Sequence, residues 1–483
     1  MDPEYINLSY YEIYLPEKRQ FFSEIGSIFN TPIELLYSRR IGSHDQFGNS
    51  QRINLASKIK GNTKSGLEYG AFISNTGSDS IDFDILDDDG IDYNAYRLAY
   101  NHSVFNVPMY TGITKLSYDD IISTWSIDNS IYAFNDNFII DYQYIHQNRA
   151  SSNFGHYFSM SYYSPFPIFF NITSEYYGEN LDLNKMGFLH RNNLNSIDLN
   201  VGFKKTTETL SFVRRFKVDF NRSIHRNLNE LIIKDDIGAK INMHFLNYSK
   251  AVFGYSLKYE SYDDYYMYDH EIEVVGPPFL KPEINQFYFT YNTDYSGKYV
   301  LYLGLELDES SNKDYLIDSR SELAFKISEK NMLKLSYQNT LISNKYHFLE
   351  SVVNDINPTT EDSIEHIFSD IKGWETRYGI RYEQYLSNRL SLQFFSEYFQ
   401  RFIHYDNYKL WKHDERWPVE SVFITGGSNP NGSFLPLYTD GNLAPEIESD
   451  ENGDILVEQY LNPNYYVGFY PRYTSLNFNL SLK

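Results

Sequence analysis

Titratable side chains are plentiful in this chain but rarely gathered. The densest polar set lies near the N-terminus: Glu17, Lys18 and Arg19 precede the pair Phe21-Phe22, and Arg39-Arg40 precede the first clear strand pattern. A guanidinium in a narrow polar space needs carboxylate partners, because desolvating it without a bidentate replacement is costly. Glu17, Arg19, Arg39 and Arg40 are therefore a candidate binding network, with the arginines expected to reach carboxylates of a surrounding wall. The competing reading is a linker whose charges are simply solvated. A second set, Asp82, Asp84, Asp87, Asp88 and Asp89 before Gly90, offers hard oxygen ligands to calcium. It lacks the closing Glu of a helix-loop-helix site, so a solvated acidic turn is the simpler expectation and no metal is assigned.

Nucleophilic and general-base chemistry leaves little trace. Neither a GxSxG elbow nor an HExxH pair occurs. His102, His146, His156, His190, His225, His244 and His270 are scattered singly, which suits structural or lumen-lining roles. No catalytic residue and no cofactor is expected. Tyr405, Tyr408, Trp411 and Trp417 form an aromatic cluster on what reads as a long loop. Exposed ring faces are surfaces on which sugars stack, and ring packing within a loop or a membrane girdle is the alternative.

The elements that must position these residues read as strands. Ile237, Ala239, Ile241, Met243 and Phe245 alternate with polar or small residues, as do Leu301, Leu303, Leu305 and Leu307, and finally Leu476, Phe478, Leu480 and Leu482. Segments of about ten residues joined by Asn-Gly, Ser-Gly and Asp-Asp turns make a hairpin meander of about 16 strands, and about ten residues is the length a tilted strand needs to cross a bilayer. Residues 1–50, 78–92, 341–370 and 404–470 interrupt the alternation and read as a lead-in and long connections. Ile241, Tyr255, Leu303, Leu305, Leu335, Ile380 and Phe478, with Met243, Leu257 and Phe325, are expected to point outward. Lys240, Asn242, Lys258, Glu306, Lys326, Lys334, Arg381 and Asn477 are expected to point inward.

Composition agrees. Of 483 residues 18% are aromatic, including 46 Tyr, and Tyr suits a bilayer boundary because its ring prefers the acyl side and its hydroxyl the headgroups. A mean hydropathy of -0.50 fits a barrel, in which only alternate residues meet lipid. The net charge of -22 argues against nucleic-acid binding, which needs clustered positive charge. Zero cysteines exclude a disulfide framework and thiolate metal sites. No signal peptide is visible at the N-terminus, so the sequence reads as incomplete at its front.

The string YINLSYYEIYLPEKRQFFSEIGSIFNTPIELLYSRRIG at 5–42, with its elements NLSxxE, PEKRxFF and YSRRIG in that order, and the strand Asp92–Leu98 resemble an uncharacterised family of Gram-negative envelope proteins. In that family a family 9-like carbohydrate-binding domain precedes an outer-membrane β-barrel of unknown function. The resemblance implies that the preceding domain is absent here and that the final one or two strands are missing or imperfectly paired.

The expectation is thus an all-β chain: residues 1–50 a lead-in or lumen plug, residues 51–483 a transmembrane antiparallel barrel in the outer membrane. Its partners would be the lipid bilayer, the barrel-assembly machinery and a glycan-like ligand, bound or transported at the cell surface. A membrane-embedded hydrolase and a TonB-dependent transporter barrel are the alternatives, the latter needing a globular plug and a larger wall than this length suggests.

Overall fold

Alternation in sequence becomes alternation in exposure, with the polarity of a water-soluble protein reversed. In the strand Ile91–Val104 the side chains of Ala95, Arg97 and Ala99 are buried while Tyr96, Leu98 and Tyr100 are exposed. The computed structural model describes residues 12, 14–43, 51–78, 91–119, 121–148, 153–163, 167–210, 212–269, 274–354, 363–387, 390–411, 434–436, 438–439, 442–443 and 472–482. Strands make up 72% of it and helix almost none, which settles the class as all-β and antiparallel.

Two compact units divide the chain: Met1–Lys204 with Asp219–Asp235, and Lys205–Val218 with Asp236–Lys483. Unit 1 opens with helix α1 (Gln20–Phe29) and a 3-10 turn at Ser38–Arg40. Then follow β1 (Gln51–Asn62), β2 (Leu67–Ser78), β3 (Ile91–Val104), β4 (Val107–Tyr118), β5 (Ile122–Ala133), β6 (Phe138–Gln147), β7 (Phe154–Tyr163), β8 (Ile168–Tyr177), β9 (Leu194–Leu210) and β10 (Val213–Arg226), of which residues 205–210 and 213–218 belong to unit 2. Each strand from β1 to β8 pairs antiparallel with the next, and β9 pairs with β10.

Unit 2 continues the pattern through β11 (Ile232–Phe245) and β12 (Lys250–Lys258), with the short strands β13 (Ser261–Asp263), β14 (Tyr268–Asp269), β15 (Val274–Val275) and β16 (Phe279–Lys281) inserted before β17 (Ile284–Asn292). Then come β18 (Tyr299–Ser310), β19 (Tyr315–Ser328), β20 (Asn331–Asn354), β21 (Ser363–Ser387), β22 (Leu390–Trp411), β23 (Phe434–Pro436), β24 (Tyr438–Thr439), β25 (Asn442–Leu443) and β26 (Arg472–Leu482). The long strands pair in the order β11, β12, β17, β18, β19, β20, β21, β22, β26.

Three expectations are corrected. The main sheet has 20 strands, more than the 16 expected, and only one of them, β23, is a short strand. Among the described residues the strands do not close into a ring. The stretch 341–370 is not a polar connection: β20 and β21 run through most of it. Bulges between Asn344 and His347 and between Phe348 and Glu350 shift the register there, and each shift swaps the two faces and erases the period-two signal.

Exposure separates the expected sets only in part. Ile241, Tyr255, Leu303, Leu305, Leu335 and Ile380 are exposed, while Met243, Leu257 and Phe325 are half-buried. Lys240, Asn242, Lys258, Glu306, Lys326 and Lys334 are half-buried. Arg381 departs: it is half exposed and pairs with Glu383 at 2.8 Å. The side chains of Asn477 and Phe478, and the acidic stretch 82–90, lie outside the described residues. No helix is long and apolar enough to cross a membrane, a fact that says nothing of crossing by strands.

Candidate functional site

The face of unit 1 that carries buried polar side chains is covered by the lead-in. Phe22, Ile28 and Phe29 recur at helical spacing and form the buried side of α1. The helix stops at Phe29 because Thr31 precedes Pro32, and a residue before proline disfavours the α region. Phe22 packs on Phe72 of β2 with ring centroids 5.9 Å apart. From β1, Lys58 donates to Glu24 and to the Phe21 carbonyl, both at 2.6 Å, and Lys60 donates to the Glu24 carbonyl. Beyond the helix the chain is extended, with Thr31, Ile33, Leu35 and Tyr37 buried at alternate positions.

A second segment covers the same face, and nothing in the alternation announced it. The connection from β8 to β9, residues 178–193, contributes Leu181, Leu183, Met186 and Leu189 to one core with Phe22, Ile28, Phe29, Ile33, Leu35 and Ile41 of the lead-in. Each such side chain is worth about 1.5–3 kcal/mol when fully buried. The two segments also pair by backbone: Tyr37 N–H donates to the Met186 carbonyl at 2.7 Å and Phe188 N–H to the Glu34 carbonyl at 3.0 Å. Gly187 permits this approach, since a Cβ there would lie 2.5 Å from the Glu34 oxygen.

Strand β6 holds both segments with two glutamines four residues apart, hence on one face. Gln143 accepts from Ile33 N–H at 2.6 Å and donates to Ser126 Oγ at 2.9 Å. Gln147 donates to the Asp182 carbonyl at 2.6 Å and accepts from Asp182 N–H at 3.3 Å. Beside them lies a buried ion pair. Arg97 reaches both carboxylate oxygens of Asp128, at 2.6 and 2.7 Å, and donates to Thr114 at 2.6 Å. Gly112 lies opposite Asp128 across β4 and β5, and a Cβ on it would intrude on the guanidinium.

The expected network forms only in part, and its partners differ. Glu17 pairs with Arg19 at 2.8 Å and accepts from Ser38 Oγ at 2.7 Å. Burial pushes its carboxyl up, but the hydrogen bonds from Arg19 and Ser38 outweigh this and hold it at about 2. Arg19 also donates to the Ser38 and Ile41 carbonyls and lies over the Phe22 ring, 4.1 Å from its centroid. Arg39 donates to the Pro16 carbonyl, and Arg40 to Glu12 and to the Gly187 carbonyl. Through these contacts the arginines tie the lead-in to itself and to the 178–193 connection. Phe22 is buried, whereas Phe21 is 36% exposed, lying under Lys58.

Residues 1–83 and 117–425, more than half of the chain, match the family described as DUF5916, a domain of unknown function. The chain belongs to that family. No curated protein matches it. For this DUF5916 member, therefore, chemistry must be argued from its own side chains.

Two further clusters escaped the sequence reading. In unit 1, His225 Nε2 lies 3.1 Å from Asp198, and Ser223 donates to the same carboxylate at 2.5 Å. The serine bonds the acid and not the imidazole, so it is not an activated nucleophile. In unit 2, cross-strand pairing sets Lys240, Gly254, Tyr288, Glu306, Asp318, Thr340, Glu375 and Arg401 in one lateral row. Gln286 donates to Glu306 at 2.8 Å and to Asp308 at 3.2 Å, while Asp318 accepts from Gln338 at 3.0 Å and Thr340 at 2.8 Å. Only register creates this row; its members are far apart in sequence. Among the described residues no group of carboxylates and histidines could hold a metal ion. Of the aromatic candidates, the backbone of Tyr405, Tyr408 and Trp411 continues β22 and is not loop. Their side chains and all of Trp417 lie outside the described residues.

Proposed function

We propose that this chain is an outer-membrane β-barrel, partly filled by its own segments 14–43 and 178–193, that binds or transports a glycan-like ligand at the cell surface. The observation that carries the membrane reading is the reversed polarity. Leu98, Ile113 and Ile127 are exposed while Arg97, Thr114 and Asp128 beside them are buried. In water this arrangement wastes the hydrophobic effect; in lipid it is the arrangement required. The ligand reading is supported by the lateral row of unit 2. Carboxylates, an amide and a hydroxyl beside the Tyr288 ring offer hydroxyl-binding groups and a stacking face, the combination that sugars use. The family resemblance of residues 5–42 points the same way.

The test is the full chain reconstituted in phosphatidylethanolamine and phosphatidylglycerol vesicles. Leu98→Lys should reduce insertion, since a lysine facing mid-bilayer costs about 2–4 kcal/mol. A protein washed off the vesicles by alkaline carbonate would end the membrane reading. Oligosaccharides should quench Tyr emission or slow ion conductance in the wild type, less so in Tyr288→Ala and Glu306→Gln. Equal behaviour of all three would end the glycan reading. A hydrolase reading has one supporting observation, the His225–Asp198 pair, and the inactive placement of Ser223 weighs against it.

A further inference from the structure

Because the meander is antiparallel, alternate connections gather at the same end of each unit. In unit 1 one end carries tight turns: Phe105-Asn106 between β3 and β4, and residues 134–137 between β5 and β6. The opposite end carries the start of β1 and the 178–193 connection. The tight turns are unusual in composition. Phe105 has φ 51 and Phe134 has φ 51, in a left-handed region that glycine or asparagine adopts more easily than an aromatic residue. Yet each presents its ring outward, Phe105 96% exposed and Phe134 77% exposed. Phe134 makes an edge contact with Phe138, ring centroids 6.4 Å apart, but in water most of both rings would still be left solvated, at the cost of a disfavoured backbone state.

On β3, β4 and β5 the exposed apolar strand positions run from these turns to one cross-strand row, while Ile121 in the β4–β5 connection and Ile73 and Leu55 on β2 and β1 are exposed beyond it. Tyr96, Lys115 and Trp125 are cross-strand partners, with Lys115 lying 5.1 Å from the centroid of Trp125. Aromatic rings beside a lysine are the residues that favour the headgroup layer. From Tyr96 to Val104, and from Trp125 to Ala133, is about nine residues, the number a tilted strand needs to cross the hydrocarbon. Unit 2 repeats the pattern independently. Its exposed apolar side chains, Leu335, Tyr337 and Leu341 on β20, lie in the part of the strand near the tight turn. Farther along, Phe348 and Phe368 are covered instead, by Tyr266 and Phe279 of the inserted β13–β16 region.

We propose that the bilayer abuts the tight-turn end, with Phe105 and Phe134 seated at one headgroup boundary and the Tyr96–Lys115–Trp125 row at the other. In unit 1 the 178–193 connection, past that row, projects into water; in unit 2, taken by itself, the far halves of β20 and β21 do so. This rests on the membrane reading and adds depth and polarity to it: the lipid interface is the partner of the turn tips, and the open end is the ligand-facing end.

The chain has no native cysteine, so single substitutions report position cleanly. Full-length Phe105→Cys, Phe134→Cys, Leu98→Cys and Asn229→Cys would each carry an environment-sensitive fluorophore in phosphatidylcholine and phosphatidylglycerol vesicles. Lipids brominated near the headgroup should quench labels at 105 and 134 at least threefold more than iodide does. Lipids brominated at mid-chain should quench the label at 98, and iodide alone the label at 229. Labels at 105 and 134 quenched only by iodide, with 98 still lipid-quenched, would overturn the placement while leaving the membrane reading intact. Loss of lipid quenching at all positions would overturn both.

Discussion

Gln143 of β6 and Ile33 of the lead-in are joined by a hydrogen bond of 2.6 Å from the Ile33 N–H to the side-chain oxygen, with no water able to replace it, since Gln143 has no exposed surface. The bond turns an inserted segment into a fixed one, because a buried N–H left without an acceptor is penalised more than the bond itself is worth. Gln143→Leu should therefore loosen residues 14–43 by about 1–3 kcal/mol. Limited proteolysis in detergent would read this as faster cleavage within that segment, with the strands still protected. Unchanged cleavage would mean that the apolar core alone holds the lead-in.

Arg97 and Asp128 predict non-additive energetics. Removing one partner of a buried pair strands the other charge and costs about 3–5 kcal/mol, whereas replacing both with apolar residues of similar size recovers much of the loss. Arg97→Met and Asp128→Leu should each lower the urea midpoint sharply, and the double variant should lie nearer the wild type than either. Additive losses would show that the pair does not act as a unit.

Gly187 and Gly70 give a contrast in what can yield. A Cβ at Gly187 meets a backbone oxygen, that of Glu34, at 2.5 Å, while a Cβ at Gly70 meets the flexible Ile28 side chain at 2.8 Å. Gly187→Ala should raise amide hydrogen exchange at Tyr37 and Phe188 by tenfold or more, equivalent to about 1.4 kcal/mol. Gly70→Ala should leave both amides protected. Comparable exchange in the two variants would show that the 186–188 backbone gives way easily.

Acid should release the N-terminal fold-back. The Glu17 carboxyl is held at about 2 against an ordinary value of 4.5. A depressed carboxyl adds stability that is fully present above its unfolded value and is lost as pH falls through the folded one. Protease sensitivity of residues 14–43 should thus be flat from pH 7 to about 5 and rise as pH falls from there toward 2. In Glu17→Gln, sensitivity should be higher at neutral pH and that component of the acid response absent. An identical acid profile in the variant would remove Glu17 as its source.

The strand class, the alternation and much of the outward set were legible in sequence because a period of two maps directly onto the two faces of a sheet. The reversed polarity could be read too, since lysines and carboxylates alternate with leucines and tyrosines in β18 and β20. The lead-in was legible as a break in that period, and the Glu17–Arg19 contact as a short local spacing. What holds the lead-in was not. Gln143 lies 110 residues from Ile33, and Arg40 meets the Gly187 carbonyl across 147 residues; backbone carbonyls carry no sequence signature, so the arginines looked destined for wall carboxylates. The 178–193 connection was missed because its apolar residues have neither strand nor helix period and are ordered only by the lead-in lying against them. Register decided the rest: the rows of Tyr96, Lys115 and Trp125, and of Tyr288, Glu306 and Asp318, exist only because particular hairpins align particular residues, and a shift of one would send each side chain to the other face.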